Sequence, residues 1–157
     1  MNTPTRPDPT GDTTETGMLG LWITPDGAIA SVTVPADECA RFHALRELMD
    51  GCLDVVRLRD DLDMWVNDEG LYQFEANPVA SRVAGTFGFD WQPYHGPVLL
   101  LAGVDAHGDK RGLDRTSAAL LAELAFASAH EGPLRPEEVD GHRARTYRDV
   151  IGPGYLR

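Results

Sequence analysis

A run of five apolar residues, Val98-Leu-Leu-Leu-Ala102, is closed off by Gly96-Pro97 before it and Gly103 after it. So short and uniformly apolar a run, bounded by chain breakers, reads as a central strand of a sheet. The remaining segments must supply what surrounds it. Leu19-Gly-Leu-Trp-Ile-Thr24 and Ala28-Ile-Ala-Ser-Val-Thr-Val34 flank the turn signal Pro25-Asp-Gly27. They form a predicted hairpin, placed at one edge of the sheet. Leu53 to Leu58 is strand-like. Leu62, Met64 and Val66 alternate with Asp63, Trp65 and Asn67, and Asn67-Asp-Glu-Gly70 offers a reversal before Leu71 to Phe74. This predicts a second hairpin with one buried face.

Helical periodicity fills the gaps. Asp37 is placed to cap a helix from Glu38 to about Met49, in which Cys39, Phe42, Leu45 and Met49 recur at spacings of three and four until Gly51 stops it. That helix is expected to lie across the sheet. Asn77-Pro78 is a strong helix start, and Val79, Ala80, Val83 and Ala84 keep one face apolar as far as Gly85. Thr116 to about His130, with Leu120, Leu121, Leu124 and Ala125, predicts a further helix ended by Gly132-Pro133. Strands and helices mix without a regular βαβ repeat, so the expected fold is α+β, a mainly antiparallel sheet with two to three helices packed on it.

At 157 residues and 42% hydrophobic content the chain fits one domain with a real core. Residues 1–17 are Thr, Pro, Asp and Gly with hardly an apolar side chain, a composition expected to form a flexible leader. Residues 18–131 are expected to form the single domain, and 132–157 a C-terminal extension with room for one short helix. No apolar run approaches the roughly 18 residues of a membrane span, and the N-terminus lacks a signal-peptide pattern, so a cytoplasmic protein without membrane contact is expected. Cys39 and Cys52 lack C-x-x-C spacing and read as reduced and structural. Thirteen Arg against one Lys, Lys110, is the bias of a high-GC genome.

The net charge is −11. It disfavours direct nucleic-acid binding by the core, which would need clustered positive charge. Residues 132–157 hold five Arg and four acids, one net positive charge, which leaves −12 on the first 131 residues. Within these, Asp60 to Glu75 carries six carboxylates and neither Lys nor Arg.

Candidate chemistries are weighed on spacing. Asp60, Asp61, Asp63, Asp68 and Glu69 are hard oxygen ligands, but counting from Asp61 or Asp63 puts Val66 or Asp68 where a calcium loop needs Gly, so a solvated hairpin rim is the reading. Gly103-Val-Asp-Ala-His-Gly108 follows a strand as a P-loop does, yet Asp109 stands where that motif requires Lys and Lys110 comes one residue late. The five histidines are scattered without zinc spacing. His95 and His107 bracket the apolar strand, and their convergence with Asp105 is the one basis for a small hydrolase. Neither Gly-x-Ser-x-Gly nor an activated cysteine occurs. No catalytic residue, metal ligand or cofactor is assigned. Phe87-Gly-Phe-Asp-Trp91-Gln-Pro-Tyr94 concentrates four aromatics on one loop, either an interaction surface or a lid on the core, whereas core packing explains Trp65, Tyr72 and Phe74.

The order of elements carries one further signal. The helix Phe42 to Met49 leads into Asp50-Gly51 and the strand Leu53 to Leu58, followed by Leu62 to Gly70, Tyr72 to Ala80, and Gly96 to Gly103. The series resembles a small domain of unknown function that recurs in actinobacteria and firmicutes and in their phages and conjugative elements. That family typically reads helix, Gly-Gly, strand, Asn-Glu-Glu-Gly, then a polar Asn before a short helix. Here Asp50-Gly51 replaces Gly-Gly and Asp68 replaces the first Glu. The resemblance spans Leu19 to about Leu121 and brings no catalytic residues with it.

The function expected is that of a non-enzymatic cytoplasmic interaction protein of a phage, mobile element or actinobacterial host. It would bind a protein partner through the acidic hairpin (Asp60, Asp61, Asp63, Asn67, Glu69), Asn77 and the aromatic loop (Phe87, Phe89, Trp91, Tyr94). One form of this reading is a DNA mimic, its uncompensated carboxylates standing in for phosphates. The alternative is a virion or assembly component that self-associates, with Arg143, Arg145 and Arg148 meeting the acidic rim of another copy. A small hydrolase is third. The motif residues Asn67, Glu69, Gly70 and Asn77 have either a backbone role in turns and caps or a ligand-binding role as a polar ledge.

Overall fold

The computed structural model describes residues 17–90 and 92–135. Residues 1–16 of the leader, Trp91 and residues 136–157 of the C-terminal extension lie outside the described residues, and Gly17 opens the first strand. Six strands and four helices follow in the order β1 (Gly17–Ile23), β2 (Ile29–Pro35), α1 (Glu38–Met49), β3 (Leu53–Arg59), β4 (Leu62–Asn67), α2 (Gly70–Gln73), α3 (Pro78–Thr86), β5 (Val98–Val104), β6 (Lys110–Arg111) and α4 (Arg115–Ala129). The fold is α+β, and every strand pairing is antiparallel.

The sheet order is β2-β1-β5-β4-β3, with β6 paired to β5. The apolar run is thus the middle strand, and its alternation decides the layers. Leu99 and Leu101 point to one face, where they join Leu45 and Met49 of α1. Val98 and Leu100 point to the other, where they join Val79 and Val83 of α3 and Leu121 and Ala125 of α4. Successive strand residues face opposite sides, so two cores form with the sheet between them. The β1–β2 hairpin takes an edge position, as its sequence implied.

Three expectations are corrected. Leu71 to Phe74 is no strand, because β4 is already paired on both sides by β3 and β5 and has no edge left to offer. The chain turns instead into the single helical turn α2, and the hairpin partner of β4 is β3. The β4 hairpin does not have one buried face: Asp63 and Asn67 are buried along with Leu62, Met64 and Val66, since Lys110 meets Asp63 and the end of α1 meets Asn67 on the second side. In α1 only Leu45 and Met49 are buried, whereas Cys39 is exposed and Phe42 is 50% exposed.

The helix starts follow local chemistry. Asp37 accepts the Ala40 N–H at 2.9 Å, Asn77 that of Ala80 at 3.0 Å and Asp114 that of Ser117 at 2.8 Å, each satisfying a donor that the helix itself cannot. Helix α1 closes on Asp50 in the left-handed region (φ 55°) followed by Gly51.

Candidate functional site

The two motif asparagines are built into the fold. Asn67 is 5% exposed; its Nδ2 donates to the carbonyls of Met49 (3.0 Å) and Asp50 (3.2 Å), and its Oδ1 accepts the Glu69 N–H (2.8 Å). It binds carbonyls orphaned at the end of α1 to the end of β4. A Cβ on Gly51 would stand 2.8 Å from this Nδ2, and Gly51 has φ +151°, so the glycine has both a steric and a conformational reason. Asn77 is wholly buried: besides capping α3 it donates from Nδ2 to the carbonyls of Ile23 (3.1 Å) and Gly96 (2.9 Å). It fastens the end of β1 and the approach to β5 to one helix start. A Cβ on Gly70 would lie 2.5 Å from the His95 carbonyl oxygen, so the backbones there touch.

The acidic segment does not form one rim. Asp60 and Asp61 sit at the β3–β4 turn, whereas Asp68 and Glu69 follow the other end of β4, which five strand steps separate by about 17 Å. Asp63 is not solvated at all: it has 0% exposure, with Lys110 Nζ 3.0 Å from Oδ2 and Arg57 Nε 3.5 Å from Oδ1. Lys110 also stands over the Trp65 ring, 5.1 Å from its centroid. Asp61 pairs with Arg59, whose guanidinium hydrogen bond holds the carboxyl below the usual carboxylate range. Sequence reading missed the Asp63 pair because Lys110 lies 47 positions along the chain and arrives through the β5–β6 pairing.

The histidines do not converge. His95 precedes β5 while Asp105 and His107 follow it, and the strand between them is about 20 Å long. His95 Nδ1 lies 3.1 Å from the Phe74 carbonyl oxygen. Asp105 accepts a guanidinium hydrogen bond from Arg111 at 2.7 Å and, closing its own turn, the N–H of Asp109 and of His107, and these hold its carboxyl below the usual range. Among the described residues no group of three or more His, Cys, Asp or Glu is placed to hold a metal ion, and no helix is long and apolar enough to cross a membrane.

The aromatic loop divides. Phe87 and Phe89 pack, partly buried, against the core beneath α3 and α4, and Tyr94 is 5% exposed within it. Among the described residues no partner meets the Tyr94 hydroxyl in good hydrogen-bond geometry; burial pushes the phenol up to about 12, a shift that the Gln92 side chain beside it tempers. Trp91 lies outside the described residues.

What the surface does offer is a groove that sequence reading did not find. Its volume is about 810 Å³, between Asp54 and Val56 of edge strand β3, the Asp68 to Tyr72 turn, Pro93 and Tyr94, and Pro133 and Leu134. At its lip Leu71 is 62% and Tyr72 86% exposed. Asp54 and Asp68 are exposed in its wall and Glu75 is exposed next to lining residue Ala76, and none of the three has an ion pair among the described residues. The hairpin reading had assigned Tyr72 to the core; the helical turn rotates it outward. A second cavity of about 540 Å³ lies between the end of β5 and α4, floored by Leu62, Phe87, Leu113 and Leu121.

A family model described as a domain of unknown function (DUF3846) matches residues 18–125. The match takes in β1 to most of α4, and with them both asparagine clamps, the Asp63–Lys110 pair and the Leu71–Tyr72 lip. No curated protein and no solved structure matches the chain.

Proposed function

The chain belongs to this family of unknown function, and from that footing we propose that it is a non-enzymatic binding module whose groove beside β3 takes a protein partner. One observation carries the reading: Tyr72, 86% exposed, and Leu71, 62% exposed, stand together at the lip of an apolar groove. Tyrosine is among the residues that dominate binding hot spots, and apolar side chains exposed together mark interaction surfaces. Edge strand β3, unpaired on its outer side among the described residues, adds backbone donors and acceptors at the same place. The acidic hairpin contributes Asp68 and Glu69 to this region, whereas Asp60 and Asp61 lie at the far end of β4.

The proposed setting is the cytoplasm of an actinobacterium, or a phage or integrated element within it, supported by thirteen Arg against a single Lys. A self-associating assembly component is the second reading, favoured by the exposure of Leu120 (62%) and Phe126 (56%) on α4.

Capture from host lysate tests the groove. Leu71→Ala with Tyr72→Ala is expected to abolish capture, while Asp60→Asn with Asp61→Asn leaves it intact. Equal capture by wild type and the groove variant removes the reading, and loss only in the Asp60 and Asp61 variant moves the contact to the other end of the sheet.

A further inference from the structure

We propose that the groove beside β3 is occupied by this chain's own residues 136–157, held there by Arg143, Arg145 and Arg148 against the groove's carboxylates. The inference needs the groove but no external partner.

The first support is the path of the chain. After α4, the guanidinium of Arg82, a side chain only 9% exposed, donates to the carbonyls of Ser128 (3.1 Å), Gly132 (2.6 Å) and Pro133 (3.0 Å). Three carbonyls on one guanidinium hold the exit from α4 in a single direction. That direction leads to the groove, because Pro133 and Leu134 are themselves part of its wall. The chain then continues for another 22 residues, 136–157.

The second support is complementarity. Asp54 and Asp68 line the groove and Glu75 is exposed close by in sequence, all without a cationic partner among the described residues. Within residues 136–157 the stretch 143–151 brings Arg143, Arg145 and Arg148 together with Tyr147, Val150 and Ile151 against one acid, Asp149, a net charge of +2, while Glu137, Glu138 and Asp140 stay nearer the exit from α4 in sequence. Arg143 is eight residues beyond Arg135, a reach of up to about 26 Å when extended, enough to span the groove from its wall. Attachment adds an effective concentration on the order of millimolar, so weak individual contacts suffice. An external partner at Tyr72 would then have to displace this segment.

Photo-cross-linking decides the matter in the full-length chain. A benzophenone amino acid replaces Tyr147, and isotopically light and heavy copies are mixed before irradiation. Expected is a cross-link within one copy to residues 54–76, lost when Asp54→Asn is combined with Asp68→Asn or when salt is raised to 1 M. Both aspartates are exposed, so this variant leaves the fold in place. Cross-links between light and heavy copies overturn the proposal in favour of a second copy, and absence of any cross-link to the groove overturns it outright. A chain that captures a partner through Tyr72 yet gives no cross-link within one copy keeps the proposed function and loses only this inference.

Discussion

Lys110, the chain's single lysine, holds its ammonium 3.0 Å from the fully buried carboxylate of Asp63. The contact joins β6 to β4 across the intervening β5, and the Trp65 ring lies beneath the same ammonium. A buried carboxylate left without its cation is costly, although Arg57 remains nearby and Lys110 is 26% exposed, which limits the loss. Lys110→Met is therefore expected to lower stability by about 2 kcal/mol in urea denaturation. Combining it with Asp63→Leu is expected to recover about half of that, because no charge is then left buried. A Lys110→Met chain as stable as wild type contradicts this account of the pair.

Tyr94 tests the opposite case, a buried polar atom with no partner. Its hydroxyl has no well-formed hydrogen bond among the described residues, so Tyr94→Phe is expected to be neutral or slightly stabilising near pH 7. The pH dependence follows from the raised pKa. The unfolded phenol ionises near 10 and the folded one near 12, so the stability held by the neutral form is complete below pH 10 and lost as pH rises toward 12. The loss is expected to be about 1 to 2 kcal/mol once solvent screening is allowed for. Thermal unfolding from pH 8 to 12 should show Tyr94→Phe losing less stability than wild type over that window. Parallel curves would show that Tyr94 does not titrate as its burial requires.

Asn77→Ala removes a helix cap and also strands two buried carbonyls, those of Ile23 and Gly96. The expected loss is about 3 kcal/mol, more than a cap alone. Glu69→Gln, at an exposed site, is expected to stay within about 0.5 kcal/mol of wild type. Calorimetry on both variants checks the contrast, and a thermally silent Asn77→Ala would return that residue to the role of a ligand ledge.

These residues also mark how far the sequence was legible. The Val98 to Ala102 strand, the Asp37 cap and the Asn77 helix start rest on chemistry within a few residues, and each stands where it was expected. The Asp63–Lys110 pair could not be read, because 47 positions separate its members and only the sheet order brings them together. Alternation along Leu62 to Asn67 reads as one wet face, since nothing local reveals that Lys110 meets Asp63 and the end of α1 meets Asn67. Tyr72 reads as inward-facing from sequence because the pattern predicts a strand where β4 has no free edge. The candidate groove was illegible for the same reason: it exists only once α2 replaces that strand.

Tyr72 and Asn77 stand five positions apart in one short stretch, one 86% exposed and the other wholly buried, so the division between binding surface and scaffold is sharpest there. The most direct measurement is the stability of Tyr72→Ala and Asn77→Ala alongside partner capture by the folded fraction of each. Tyr72→Ala is expected to keep its stability within about 0.5 kcal/mol and lose capture, while Asn77→Ala loses stability and its folded fraction still captures. A Tyr72→Ala chain that captures as well as wild type would contradict the assignment of the groove as the binding site.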